Sequence, residues 1–315
     1  MLLSIRPRER VAMKDMIDRI RKLLKDRHAI LLAHNYQRPE VQDVADLCGD
    51  SLELSIKASR TDAEVIVFCG VRFMAETAAI LSPEKTVLLP AGSAGCPMAD
   101  MITAEDVKAR RRPDPELTVL SYVNTTAEVK AESDLCCTSA NAVQMAMQID
   151  PDQKVLMTPD RNLARYTIRE TGRAMDYWDG YCPVHERLRA ERVREVRKAH
   201  PGAQFLAHPE CRPEVLTLAD AVRSTSGMLA FARESDGEVF IIGTEVGLLH
   251  PLSKENPGKR FISADPGMVC TDMKKTTLTE VVRALEELSP VVSVPEGTRA
   301  RAQKAVDRML AVPRA

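Results

Sequence analysis

Three cysteines stand in similar settings: Gly95-Cys96-Pro97, Tyr181-Cys182-Pro183 and Val269-Cys270-Thr271. The steps are nearly equal, 86 residues from Cys96 to Cys182 and 88 from Cys182 to Cys270. Near-equal steps point to one unit used three times, with one sulfur per unit aimed at a shared place. Three thiolates around one point hold an iron–sulfur cube with one iron left without a protein ligand, and such an iron is a Lewis acid. Spacing alone leaves the metal open. The close C-x₂-C pairs that mark most clusters and zinc sites are missing. Zinc with the three cysteines and a water, or with His185 as a fourth ligand three residues after Cys182, fits as well. The other five cysteines, Cys48, Cys69, Cys136, Cys137 and Cys211, read as small packing residues.

A second set of chemical residues appears when the repeat is aligned by hand. Glu40-Val41, Glu128-Val129 and Glu214-Val215 superpose. Seven residues before each valine stand His34, Tyr122 and His208; five before it stand Tyr36, Asn124 and Glu210. Five after it stand Asp46, Asp134 and Asp220, expected in the next helix; ten after it stand Ser51, Ser139 and Thr225, expected at the start of the following one. A serine there is ordinarily only an N-cap, and a lone histidine after a strand is ordinarily structural. The threefold recurrence weighs against both bland readings. Tyr36, His34, His208 and Glu210 are the acid–base candidates, Glu210 as general base and Tyr36 as proton donor or relay. Three helix termini with hydroxyls would form a pocket for a polyanion from dipoles and neutral donors.

These residues need elements to carry them. Glu9 to Arg27 has an apolar stripe at helical spacing (Met13, Met16, Ile17, Ile20, Leu23, Leu24). The apolar runs Ala29 to Ala33, Val65 to Phe68 and Val87 to Leu89 read as buried strands, with helices Val41 to Leu47 and Phe73 to Ile80 between them. The second unit has strands Thr118 to Tyr122 and Val155 to Met157; the third has Gln204 to Ala207, Val239 to Ile242 and Arg260 to Ile262. Thr103 with Asp106, and Thr277 with Glu280, are capping boxes. The last opens a helix Leu278 to Leu288, and a final helix covers Thr298 to Leu310. The fold expected is α/β: three pseudo-threefold-related three-layer α/β/α domains with short parallel sheets around a central cavity. The units are 1–98, 99–184 and 185–275, followed by C-terminal helices in 276–315, of which 298–315 joins the first unit.

The bulk composition, 44% apolar, 28% charged and a net charge of −1, is that of an ordinary water-soluble chain. It gives no electrostatic ground for nucleic acid or a membrane surface as partner. No apolar run would span a bilayer, and Met1 to Lys14 lacks the apolar core of a signal peptide, so a cytoplasmic location with reduced thiols is expected. The residues alone leave two other functions open. One is a metal-dependent hydro-lyase acting on a small carboxylate. The other is a non-catalytic binding protein in which the cysteines only pack.

Assembled, these segments resemble the quinolinate synthase family of NAD biosynthesis. The resemblance runs through Ala33-His34-Asn35-Tyr36-Gln37, Gly49-Asp50-Ser51-Leu52-Glu53-Leu54, Cys69-Gly70-Val71-Arg72-Phe73-Met74-Ala75-Glu76 and Gly95-Cys96-Pro97-Met98-Ala99-Asp100. It continues in Tyr122-Val123-Asn124-Thr125-Thr126-Ala127-Glu128-Val129-Lys130, Thr138-Ser139-Ala140-Asn141 and Gly180-Tyr181-Cys182-Pro183-Val184-His185. Then come His208-Pro209-Glu210-Cys211, Ser224-Thr225-Ser226-Gly227-Met228, Gly243-Thr244-Glu245-Val246-Gly247 and Met268-Val269-Cys270-Thr271-Asp272-Met273-Lys274. The resemblance implies a [4Fe–4S] cluster on Cys96, Cys182 and Cys270 whose unique iron faces the central cavity. It implies condensation of iminoaspartate with dihydroxyacetone phosphate to quinolinate, with loss of phosphate and water. It implies transient contact with an aspartate oxidase or dehydrogenase that supplies iminoaspartate. Carried over by motif, His34, Tyr36, Ser51, Tyr122, Asn124, Ser139, His208, Glu210, Ser224 and Thr225 line the cavity, and Met74 and His185 match cavity positions too. One departure is visible. Some bacterial members carry a C-x₂-C-x₂-C run at the third cysteine, whereas Cys270 stands alone before Thr271, Asp272, Met273, Lys274 and Lys275, so redox control through that run is expected to be absent.

Overall fold

The computed structural model describes residues 7–312. The first six and last three residues, on which the outer ends of the expected first unit and C-terminal stretch fall, lie outside the described residues. The chain opens with α1 (Pro7–Asp26) and runs through β1 (Ala29–His34), α2 (Pro39–Val44), β2 (Leu47–Gly49), α3 (Ser51–Arg60), β3 (Val65–Cys69), α4 (Arg72–Leu81) and β4 (Thr86–Leu88). A second pass follows: α5 (Ala104–Arg111), β5 (Thr118–Tyr122), α6 (Ala127–Ala131), β6 (Leu135–Cys137), α7 (Ala142–Met147), β7 (Val155–Thr158), α8 (Arg161–Thr171) and β8 (Asp176–Tyr177). The third comprises α9 (Pro183–Glu186), α10 (Ala190–Ala199), β9 (Gln204–Ala207), α11 (Pro213–Leu216), β10 (Ala221–Val222), α12 (Thr225–Glu234), β11 (Val239–Gly243), α13 (Leu249–Glu255) and β12 (Arg260–Ser263). Helices α14 (Leu278–Glu287) and α15 (Glu296–Leu310) close the described chain.

The strands form three parallel sheets of identical order, β2-β1-β3-β4, β6-β5-β7-β8 and β10-β9-β11-β12. The α/β fold with three parallel sheets is the expected one. Continuous apolar runs such as Val65–Cys69 are buried along their whole length because helices cover both faces. In the first sheet Leu31, Ala33, Val65 and Val67 pack in one core with Ile20 and Leu24 of α1 and Leu278, Val281 and Leu285 of α14. Their neighbours Leu32, Ile66 and Phe68 point the other way, into a core that runs on through Leu120, Val155 and Met157 of the second sheet. Helix α15 packs against α6 and β6 and also against α4, so it touches the second unit and the first.

Two details correct the sequence reading. Each sheet has four strands; β2, β6, β8 and β10 were not foreseen, and the helix expected to reach Leu47 ends at Val44. The recurrent aspartates are not helical. Asp46, Asp134 and Asp220 each precede the short second strand and clamp the first: their carboxylates accept from the N–H of Leu31 (2.7 Å), Val119 (2.8 Å) and Phe205 (2.7 Å). Their own N–H groups donate back to the carbonyls of the same residues. An arginine pairs with each clamp: Arg21, Arg111 and Arg197. Both capping boxes are present, at Thr103/Asp106 and Thr277/Glu280.

Candidate active site

In a sheet of order 2-1-3 the connections leave the first strand in opposite directions, which opens a crevice at its C-terminal end. His34 and Tyr122 are the last residues of β1 and β5, and His208 immediately follows β9. The three crevices meet in one cavity of about 390 Å³. Its wall includes His34, Tyr36, Ser51, Met74, Tyr122, Asn124, Ser139, His208, Glu210 and Thr225, together with Cys96, Cys182, Cys270 and His185. Ser224 is the exception: it is the N-cap of α12, off the cavity wall, where its Oγ accepts from the Gly227 N–H (3.2 Å) and bonds Asp50 Oδ2 (3.3 Å). Ser51 and Thr225 are the first residues of α3 and α12, so the caps beside them are Asp50 and Ser224; Ser139, expected at a helix start, lies instead in the turn before α7, whose N-cap is Asn141.

The acid–base groups form a connected line. Tyr36 Oη lies 2.5 Å from Thr244 Oγ1, which lies 2.8 Å from His185 Nε2. His185 Nδ1 is 2.6 Å from Glu210 Oε2 and 3.2 Å from Cys182 Sγ. The His185 and His208 rings stack 4.6 Å apart, and His208 joins Ser139 Oγ at 3.2 Å. The Tyr36 N–H donates to His34 Nδ1 at 3.1 Å, which leaves the proton of a neutral His34 on Nε2. Glu210 Oε1 and Asn124 Oδ1 are buried without a hydrogen-bond partner. A buried acceptor left without a donor is costly, so both are suited to receive a ligand's N–H or O–H. Thr244 escaped the sequence reading as a site residue. Its only signal there was the Gly-Thr-Glu turn at the C-terminal end of an apolar run.

Burial sets the charges. It is the main cause that lowers His34 to about 3, with His208 adding to it. Burial also lowers His208 and raises Tyr36 and Tyr122, the Glu210 charge reinforcing both phenols. Glu210 runs against its burial: His185 and His208 outweigh the desolvation and hold its carboxyl below the usual range. Burial pushes Cys96 up to about 12 and raises Cys182 and Cys270; Cys270 adds to the effect at Cys96, and Glu210 and Cys96 add to it at Cys182. All eight cysteines are free thiols, and Cys69, Cys136, Cys137 and Cys211 are fully packed.

The lysines after Cys270 brace this wall. Lys274 Nζ donates to the Tyr36 carbonyl and, at 3.0 Å, to Glu245 Oε2. Lys275 Nζ reaches Asp272 Oδ1 (2.7 Å) and the Ser93 carbonyl (2.8 Å). Gly247 lies beneath them; a Cβ there would sit 2.8 Å from both the Tyr36 carbonyl oxygen and Lys274 Nζ.

A family model described as Quinolinate synthetase A protein matches residues 18–311. The chain belongs to the quinolinate synthase family. It is 54% identical over 295 residues to the quinolinate synthase of Geobacter metallireducens, covering 94% of this chain and 97% of that one. It is 53% identical over 298 residues to that of Desulforudis audaxviator, with 95% and 98% covered. The quinolinate synthase of Methanoregula boonei is 54% identical over 295 residues, with 94% and 97% covered. The family is one of enzymes, which fits a cavity lined with paired acid–base groups. Among the described residues no helix is long and apolar enough to cross a membrane.

Proposed function

We propose that this chain condenses iminoaspartate with dihydroxyacetone phosphate to quinolinate, releasing phosphate and water, as a cytoplasmic step of NAD biosynthesis. The observation that carries this reading is the meeting of Cys96, Cys182 and Cys270 on one cavity wall beside the Tyr36–Thr244–His185–Glu210 line. Divided after Met98, Val184 and Lys275, the chain supplies one cysteine per unit. An aspartate oxidase or dehydrogenase would supply the imine.

The donor set fits a [4Fe–4S] cluster. Three free thiols line one cavity, and burial keeps them protonated until a cation displaces the protons. A cluster held by Cys96, Cys182 and Cys270 would supply a Lewis-acidic iron.

The chain's own residues handle the protons. Glu210, held ionised, accepts the Nδ1–H of His185; with the ring neutral, His185 Nε2 is then the acceptor. The Thr244 hydroxyl then donates to Nε2 and accepts from Tyr36 Oη. This polarity lets a proton leave Tyr36 through Thr244 to His185 and return, which is what a condensation followed by dehydration requires. Glu210 Oε1, buried without a hydrogen-bond partner, would accept a ligand's N–H or O–H. Ser51, Ser139, Thr225 and Asn124 supply neutral polar contacts for two carboxylates and a phosphate, and Ser51 and Thr225 do so at the starts of ten-residue helices.

A second reading has a mononuclear metal on Cys182, His185 and Glu210, whose donor atoms lie within 4.8 Å of one another. It would break the His185–Glu210 bond and leave Cys96 and Cys270 without a role. Metal analysis of anaerobically purified protein separates the two. Iron with acid-labile sulfide, lost in Cys96→Ala, Cys182→Ala and Cys270→Ala, is expected. One zinc per chain, unaffected by Cys96→Ala, would overturn the cluster.

A further inference from the structure

The Cys182 N–H donates to Asp160 Oδ2 at 3.1 Å, and the Cys270 N–H donates to Glu245 Oε1 at 3.1 Å. Asp160 and Glu245 occupy equivalent places, each two residues past the third strand of its sheet, which ends at Thr158 in one unit and Gly243 in the other. Both are buried, at 1% and 0% exposure. The other oxygen of each carboxylate is fixed in the same way, Asp160 Oδ1 by the Leu163 N–H and Glu245 Oε2 by the Gly247 N–H, both at 2.7 Å. Neither carboxylate can turn away from its cysteine without leaving a buried N–H unsatisfied.

The first unit breaks the pattern. Its equivalent position, two residues past Cys69, is Val71, which offers no side-chain acceptor. The loop of Cys96 is held from the third unit instead: the Gly95 N–H donates to Asp272 Oδ1 at 3.0 Å, and Lys275 ties Asp272 to the Ser93 carbonyl. A carboxylate thus holds the backbone of all three cysteine loops, although the repeat supplies it in only two.

We propose that Asp160, Glu245 and Asp272 are positioning residues that hold the three cysteine loops in ligating geometry before a cluster arrives, two from within their own unit and one across the seam between units. The inference rests on the cluster reading above. Outer partners that orient metal ligands are worth roughly 10–100-fold in metal affinity. Three loops from separate units have no short spacer to keep their sulfurs together, so their orientation must come from such bonds.

The test is iron and sulfide content per chain after anaerobic reconstitution, with the rate at which a chelator removes the iron. Asp160→Ala, Glu245→Ala and Asp272→Ala are each expected to speed release roughly tenfold or more. Asp272→Asn keeps the one oxygen that accepts from the Gly95 N–H and is expected to restore most of the wild-type rate, whereas Asp160→Asn and Glu245→Gln set an amide NH2 against a buried N–H and are expected to release iron faster than wild type. Asp134→Ala, which removes a similar clamp at the start of β5, is expected to lower thermal stability without changing the rate. Asp272 is partly exposed and carries the test if a buried variant does not fold. Folded alanine variants that release iron at the wild-type rate would overturn the inference alone. A wild-type chain that takes up no iron would overturn the cluster reading and this inference with it.

Discussion

Glu210 is the residue on which the site's charge distribution turns. It meets His185 and His208 on one oxygen and keeps the other free, and its charge raises Tyr36 and Tyr122. Thr244 is the link between that carboxylate and the phenol. Thr244→Val is expected to lower kcat by roughly 10²–10⁴, the usual worth of a positioned proton-transfer group. Thr244→Ser is expected to recover most of it, and the iron content of both should match wild type. A valine variant with normal kcat would remove the relay from the account. At this scale the sequence is legible where the repeat multiplies a signal: His34/Tyr36, Tyr122/Asn124 and His208/Glu210 share one offset from an aligned valine. Thr244 has no such help. Its meaning depends on Tyr36, 208 positions away, and on His185, 59 away, and only the folded chain brings them together.

Elements hold these groups by repeating one device. Val41, Val129 and Val215 are fully buried, and the aspartate five residues on closes each short helix onto the first strand. Asp134→Ala leaves the Val119 N–H without its acceptor and takes the carboxylate from Arg111, which keeps the Leu117 and Glu132 carbonyls. We expect a loss of about 1–3 kcal/mol, measured by denaturant unfolding, with kcat per folded molecule unchanged. A loss of kcat without a loss of stability would move Asp134 into the site. The long buried strands were legible because five or six apolar residues in a row have few alternatives. The strands β2, β6, β8 and β10 were not, because two or three residues are too short to carry a period and exist only by pairing with a longer neighbour; β4, equally short, stands out only through the apolar run Val87-Leu88-Leu89. The aspartates are expected in helices on sequence alone because offset recurrence fixes equivalence between units but says nothing of backbone conformation.

The whole molecule buries neutral imidazoles and thiols at its centre, and this predicts its response to pH. His34 titrates at about 3 when folded and at its ordinary 6.5 when unfolded, so the unfolded chain binds more protons below 6.5. Stability should therefore fall as the pH drops, by about 2 kcal/mol between pH 6.5 and 5 from His34 alone. Cys96 runs the other way, from 9.0 unfolded to about 12 folded, so the metal-free chain should lose stability as the pH rises above about 9. A metal bound at Cys96 would already hold its thiolate and should weaken this alkaline limb, while Cys69, Cys136, Cys137 and Cys211, all raised by burial, keep the rest of it. Thermal melts of metal-free and reconstituted protein across pH check both; an alkaline limb equally steep before and after reconstitution would argue against metal at Cys96. The threefold plan was readable from even cysteine spacing. The seating of α15 across two units was not, because an amphipathic helix reveals its buried face and not its neighbour.

The central claim is that three units bring three cysteines and one proton line to a single reacting centre that makes quinolinate. Its most direct test is product formation by anaerobically reconstituted protein supplied with dihydroxyacetone phosphate and iminoaspartate generated in place. Wild type should release quinolinate and phosphate one for one, Cys182→Ala should release none, and Glu210→Gln should keep its iron while losing most turnover. Quinolinate formed at the wild-type rate by Cys182→Ala, or no quinolinate from an iron-loaded wild type, would contradict the account.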